Sequence, residues 1–213
     1  MASTMKQPAI EIKPEYKSLF LAYFFLTIVS LIIQLTDGVS WASLSVVDIK
    51  YGQLWRIITA HLTHYDWQHF AMNMIGLALC MLVFRDDLSS RHWLLSFVFI
   101  SVFSSLGLLS VYDEYQRYAG FSDVLHGWIL LGALAISPRE PKLALVIFIL
   151  FWLKIIEENS GLTFFTSASM DSGNIATNSH IFGAIGGIFY ALTFLPPIRH
   201  FLLRTFRLKK PTQ

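Results

Sequence analysis

The chain has 213 residues, 54% of them hydrophobic and 14% charged, whereas a soluble domain usually carries about 25% charged residues. That deficit and a mean hydropathy of +0.55 argue against a soluble domain and for a surface that faces lipid. A net charge of +2 argues against a general polyanion-binding surface, and a single cysteine, Cys80, rules out an intrachain disulfide.

Residues 1–17 are polar and hold Lys6, Lys13 and Lys17. A signal peptide would begin its apolar core earlier, so the first apolar run reads as a retained span. A bilayer core about 30 Å thick takes around 20 helical residues at 1.5 Å each. Six stretches qualify: 18–36, 67–84, 92–111, 121–137, 142–158 and 178–197. The expected fold is an all-α polytopic membrane protein. It has a cytoplasmic N-terminal segment (1–17), one membrane domain (18–197) and a basic cytoplasmic tail (198–213).

Basic residues orient the spans. Three lysines precede the first, and Arg85 and Arg91 lie between the second and third. Arg139 and Lys142 lie between the fourth and fifth, and the tail holds Arg199, Arg204, Arg207, Lys209 and Lys210. With six spans, all four groups fall on one side, so both termini are expected in the cytoplasm. The tail reads as an anchor to anionic lipid rather than to nucleic acid.

Two connections are long. Residues 37–66 include a semi-apolar stretch from Trp41 to Trp55 that suits the interface. Residues 159–177 are small and polar around Phe164 and Phe165, and suit a cover over a site.

Polar side chains inside spans are costly and mark function. The second span holds His69 and Asn73, the fourth Ser122, Asp123 and His126, and the sixth starts at Asn178-Ser179-His180. In the six-span arrangement these groups reach a similar depth near the outer face. His69 and Asn73 share a helix face, as do Ser122 and His126. His180, Gly183 and Gly187 form one stripe, and the two glycines allow close helix approach. If the faces of the fourth and sixth spans meet, Ser122 is the nucleophile and His180 its base. The amide of Asn73, the ring of His69 and the N–H groups at the helix start then face a developing oxyanion.

These residues, in this order, resemble the rhomboid intramembrane serine proteases over about residues 50–195. Trp55-Arg56 is similar to the Trp-Arg pair of the family's first loop. His64, His69 and Asn73 follow at the family's spacing, Gly120-Phe121-Ser122 matches its Gly-x-Ser, and His180 with Gly183 and Gly187 matches its last core helix. The resemblance implies a six-transmembrane-helix rhomboid-like bundle with Ser122 and His180 catalytic and Asn73, His69 and the Ser122 N–H in the oxyanion hole. It makes Trp55, Arg56 and His64 structural, and 159–177 a cap.

Ser122-x-x-x-His126-Gly127 further resembles the rhombosortases, a bacterial branch. That likeness implies cleavage of a substrate anchored by a C-terminal transmembrane tail with a Gly-Gly-type motif, at the periplasmic side of the bacterial inner membrane. The alternatives are a general rhomboid protease, or an inactive rhomboid-like protein that binds transmembrane helices. No cofactor, catalytic metal or nucleic-acid partner is expected, and a partner subunit is left open.

One residue departs from both patterns. Asp123 stands where they have glycine; it suits the helix dipole but opposes an oxyanion, and it is compatible with a protonated histidine nearby or with substrate selection. His61, His92 and His200 read as solvated or interfacial. Lys154, three and four residues before Glu157 and Glu158, reads as part of an ion pair at a helix end.

Overall fold

The computed structural model describes residues 14–111, 113, 117–160 and 177–207. Six longer helices follow the apolar runs: α1 (Pro14–Leu35), α5 (Trp67–Val83), α6 (Ser90–Val111), α7 (Ser122–Ile136), α8 (Pro141–Ser160) and α9 (Thr177–Phe194). Between α1 and α5 lie three short helices, α2 (Gly38–Ala42), α3 (Val46–Lys50) and α4 (Arg56–Thr59), and a 3-10 turn at Ala60–Leu62. The remaining helix, α10 (Pro196–Arg207), replaces the end of the expected sixth span, which stops at Phe194. Pro196-Pro197 is the reason: proline disfavours helix in the residue before it and suits the first positions of a new one.

Tyr16–Leu35 and Ser90–Val111 are each long and apolar enough to cross a membrane, while Trp67–Val83 and Ser122–Ile136 are shorter apolar helices. The burial pattern departs from that of a soluble bundle in its exposed apolar faces, although the core is apolar too. Phe20, Leu21 and Phe24 on α1, Ile75, Leu79 and Leu82 on α5, and Leu145, Ile149 and Leu153 on α8 are exposed, whereas Ser96, Ser101, Ser104, Ser105, Asp123 and His180 are buried. Apolar outer faces, with the polar groups kept inside among apolar neighbours, are what lipid selects.

Glycines set the helix contacts that position the polar residues. A Cβ on Gly183 would collide with the carbonyl of Asp123, and one on Gly187 with the carbonyl of Gly127. Moving four residues along α7 corresponds to moving four along α9, so the two helices run parallel in near backbone contact. A Cβ on Gly76 would lie 2.6 Å from Leu125 Cδ1, and one on Gly132 would strike the Phe84 ring. Eight residues along α5 to its cap and seven along α7 run the same way, so these two helices are parallel as well. One turn before the Gly76–Leu125 contact stand Asn73 and Ser122, which are therefore level.

The first loop is stapled to the segment before α7. Strands β1 (Leu44–Ser45) and β2 (Arg117–Tyr118) pair antiparallel. Gly120 N–H donates to the Ala60 carbonyl at 3.0 Å, and Tyr65 Oη to the Arg117 carbonyl at 3.0 Å. Buried Arg56 knits the loop, donating to Gln53 Oε1 at 2.8 Å and to the carbonyls of Ser43 and Ser40 at 2.7 and 3.1 Å, with Asp48 at 3.3 Å. Trp55 stays at the surface, its Nε1 donating to the Trp41 carbonyl at 3.0 Å.

Candidate active site

Ser122 opens α7 beside β2, where chain direction is set by Gly120 at φ 155°, a conformation L side chains avoid. A Cβ there would come within 3.0 Å of His69 Cε1 and 3.6 Å of Ser122 Oγ, so the glycine also leaves the space between those groups open. Phe121 anchors the turn from below, stacked on Phe97 at 5.6 Å and edge-on to Trp128 at 5.4 Å.

Ser122 Oγ lies 2.9 Å from His180 Nε2. The hydroxyl carries the only proton available to this bond when Nε2 is the acceptor, which puts the imidazole proton on Nδ1. His180 is buried, Ser122 partly open. The His126 ring lies parallel to that of His180, centroids 3.9 Å apart. His126 Nδ1 is 2.6 Å from the Ser122 carbonyl, which can only accept, so this nitrogen is the donor. Its Nε2 faces Lys154 Nζ at 3.5 Å, a long contact. The helix-end role expected of Lys154 thus gains a second feature, a place beside the site.

Two candidate donors stand on α5: His69, whose ring borders the space beside Gly120 that Ser122 Oγ also borders, and Asn73, one helical turn further on. Asn73 is buried, and its Nδ2 has no hydrogen-bond partner among the described residues. A buried amide N–H left without a partner costs stability unless something fills it. His69 starts α5, where Asp66 caps the helix by accepting the His69 N–H at 2.7 Å. Its ring packs edge-on against His64 at 5.1 Å. His64 is fully buried between His69 and Phe70, and burial, aided by His69, pushes its pKa down to about 3.

Asp123, next to Ser122, is closed off from solvent. Its side chain is fully buried; Oδ1 accepts the Val124 N–H at 2.7 Å, and His61 Nδ1 lies 3.0 Å from Oδ1 and 2.8 Å from Oδ2. The reading of His61 as solvated is therefore overturned: it is fully buried in the 3-10 turn. A carboxylate in an apolar helix demands a partner, a requirement visible in the sequence although it does not single out His61. His92 is partly buried and bonds Tyr190 Oη at 2.9 Å, whereas His200 is exposed. Tyr118 has no counterpart in the sequence reading. Its hydroxyl donates to the Gly120 carbonyl at 2.8 Å, and burial raises its pKa well above the ordinary phenol value, with Asp123 adding to the effect, so it remains a donor.

The cap expected over 159–177 lies outside the described residues except at the ends of α8 and α9. Among the described residues, no three His, Cys, Asp or Glu side chains gather to hold a metal ion. The arrangement brings together a hydroxyl, a base, an open buried amide and a second imidazole on three parallel helices.

A Rhomboid domain model matches residues 51–197. Among curated proteins no relative matches. The match spans well over half of the chain, takes in His61, His64, His69, Asn73, Ser122, Asp123, His126 and His180, and agrees with the apolar helices of an integral membrane protein. The chain belongs to the rhomboid family.

Proposed function

We propose that this protein is an intramembrane serine endopeptidase in which Ser122 attacks the scissile carbonyl and His180 is the general base. The observation that carries the reading is the 2.9 Å contact between Ser122 Oγ and His180 Nε2, beside a buried amide that lacks a partner among the described residues. Membership of the rhomboid family supports a function of the intramembrane-protease type.

In the proposed cycle His180 Nε2 takes the serine proton as Oγ bonds to the carbonyl carbon. The oxyanion accepts from Asn73 Nδ2, the His69 ring and the Ser122 N–H at the positive end of α7. The tetrahedral intermediate collapses, the C–N bond breaks and the new amine leaves with the proton held by His180. Water, deprotonated by the same imidazole, then releases the acyl group. His126, stacked on His180 and tied to the Ser122 carbonyl, limits the base to one ring orientation.

In this reading α1, α5, α6, α7, α8 and α9 are the six spans, both termini are cytoplasmic, and the site opens to the outer, periplasmic side of a bacterial inner membrane. The positive-inside distribution of Lys and Arg supports that orientation. Ser122-x-x-x-His126-Gly127 supports a rhombosortase-type substrate: a C-terminal tail with a Gly-Gly-type motif, an apolar helix and a basic end.

Two reporters test this in reconstituted vesicles. One ends in such a tail; the other is a single-span protein without it. Cleavage of the first near its outer end, lost in Ser122→Ala, is expected. Cleavage of only the second would replace the sorting-tail substrate with general rhomboid activity. Cleavage of neither by folded protein would favour a helix-binding protein.

A further inference from the structure

Asp123 is a buried carboxylate one residue from Ser122, and the catalytic scheme above makes no use of it. Its partner is His61, which arrives from the first loop. Neither side chain touches solvent. The far nitrogen of His61, Nε2, lies 2.8 Å from Ser105 Oγ on α6, and Ser105 Oγ lies 2.9 Å from the Ile57 carbonyl.

The donors and acceptors fix the number of protons. A backbone carbonyl only accepts, so the Ser105 proton points to Ile57. Ser105 Oγ must then accept from His61 Nε2, which carries a proton. On the other side Asp123 Oδ1 already accepts from Val124, and the approach of His61 Nδ1 to both carboxyl oxygens needs one more proton between imidazole and carboxylate. That proton sits on Nδ1 or on Asp123. In either position the pair as a whole is neutral.

We propose that His61 and Asp123 form a net-neutral positioning pair that ties the first turn of α7 to the first loop and to α6, and that His61 cancels a carboxylate charge that would otherwise oppose the oxyanion at Ser122. The proposal rests on the protease reading for its second half. Two further contacts support the tie. Gly120 N–H bonds the Ala60 carbonyl, one residue before His61. Tyr118, which carries the β2 staple, faces the same carboxylate and packs on the His61 ring at 5.5 Å. The pair thus joins three chain segments at the residue next to the nucleophile. It also accounts for an aspartate where the resembling motifs have glycine: the acidic group is tolerated because a histidine from the loop accompanies it.

The test is a double-mutant cycle of His61→Gln, Asp123→Asn and the double variant, in detergent-purified full-length protein. Two quantities are read: the rate of Ser122 labelling by a fluorophosphonate probe, and the midpoint of thermal unfolding. His61→Gln leaves a bare buried carboxylate beside the reacting atoms and is expected to slow labelling about 10²-fold, the scale of losing one oxyanion donor. Asp123→Asn removes the charge and is expected to cost about tenfold, with the double variant within about threefold of Asp123→Asn, since residues in direct contact do not add. A double variant whose losses multiply overturns the proposal, because residues that act as a pair do not lose independently.

If wild-type protein is not labelled, the protease reading fails and the pair is judged by unfolding alone. A midpoint lower in His61→Gln than in the double variant sustains the pair; additive losses end it. Should His61→Gln not fold, imidazole nitrogen-15 spectra of wild type and Asp123→Asn decide. A proton-sharing His61 signal present in the first and absent in the second sustains the pair, and identical His61 signals overturn it.

Discussion

Asn73 presents its amide on the face of α5 that meets α7, level with Ser122, and among the described residues nothing accepts its Nδ2 protons. In the proposed cycle a substrate oxyanion supplies the missing acceptor only during reaction, so the proposed role bears on kcat rather than on substrate binding. Asn73→Ala is expected to lower kcat about 10²–10³-fold with KM little changed; steady-state cleavage of a tail reporter separates the two. His64 carries a different cost. Its folded-state pKa of about 3 lies below the unfolded value, near 6.5. Between those values the unfolded chain binds a proton that the folded one does not, so stability is full above about pH 6.5 and declines as pH falls toward 3. By pH 5.5 the loss is about 1.4 kcal/mol. Thermal unfolding at pH 7.5 and 5.5 should show a larger drop for wild type than for His64→Phe, and equal drops would mean that His64 is not held neutral. The serine, asparagine and histidines near the site were legible in the sequence because polar groups in apolar helices stand out. The pairing of His61 with Asp123 was not, because it joins residues 62 positions apart through a loop with no periodic signal.

At the scale of elements, glycine carries the geometry. Gly183 and Gly187 let α9 settle on the carbonyls of Asp123 and Gly127, and that contact brings His180 to Ser122. A valine at either position has no room beside a backbone oxygen, which cannot move as a flexible side chain would. Gly183→Val and Gly187→Val are each expected to cost about 1–3 kcal/mol or more and to lower serine-probe labelling with it. Unchanged melting and labelling would mean that the helices do not pack through these glycines. The six long helices were legible from apolar run length, with ends within a few residues of those observed. The end of α9 was misjudged because apolarity continues through Leu195, and the helix is broken by the Pro196-Pro197 backbone rather than by polarity. The short helices and the β1–β2 pair of the first loop were not legible, since tertiary contacts such as those of Arg56 decide them.

At the scale of the molecule, apolar side chains are exposed on the described helices while polar groups lie buried within the apolar core, and most Lys and Arg residues of the proposed six-span path fall on one side. The proposed orientation has a direct consequence. In a Cys80→Ser background, Lys50→Cys in the first loop should react with an impermeant maleimide applied to intact spheroplasts, whereas Arg85→Cys should react only after lysis. The reverse pattern would invert the topology and put the site on the wrong side for a periplasmic substrate. Both side chains are exposed, so burial does not confound the comparison.

The chemistry turns on whether Ser122 is made nucleophilic by His180, and peptide mapping by mass spectrometry after fluorophosphonate treatment reads that most directly. One adduct on Ser122 in wild type is expected, falling at least about 10³-fold in rate in His180→Ala. An adduct on another serine, or undiminished labelling of Ser122 without His180, would contradict it.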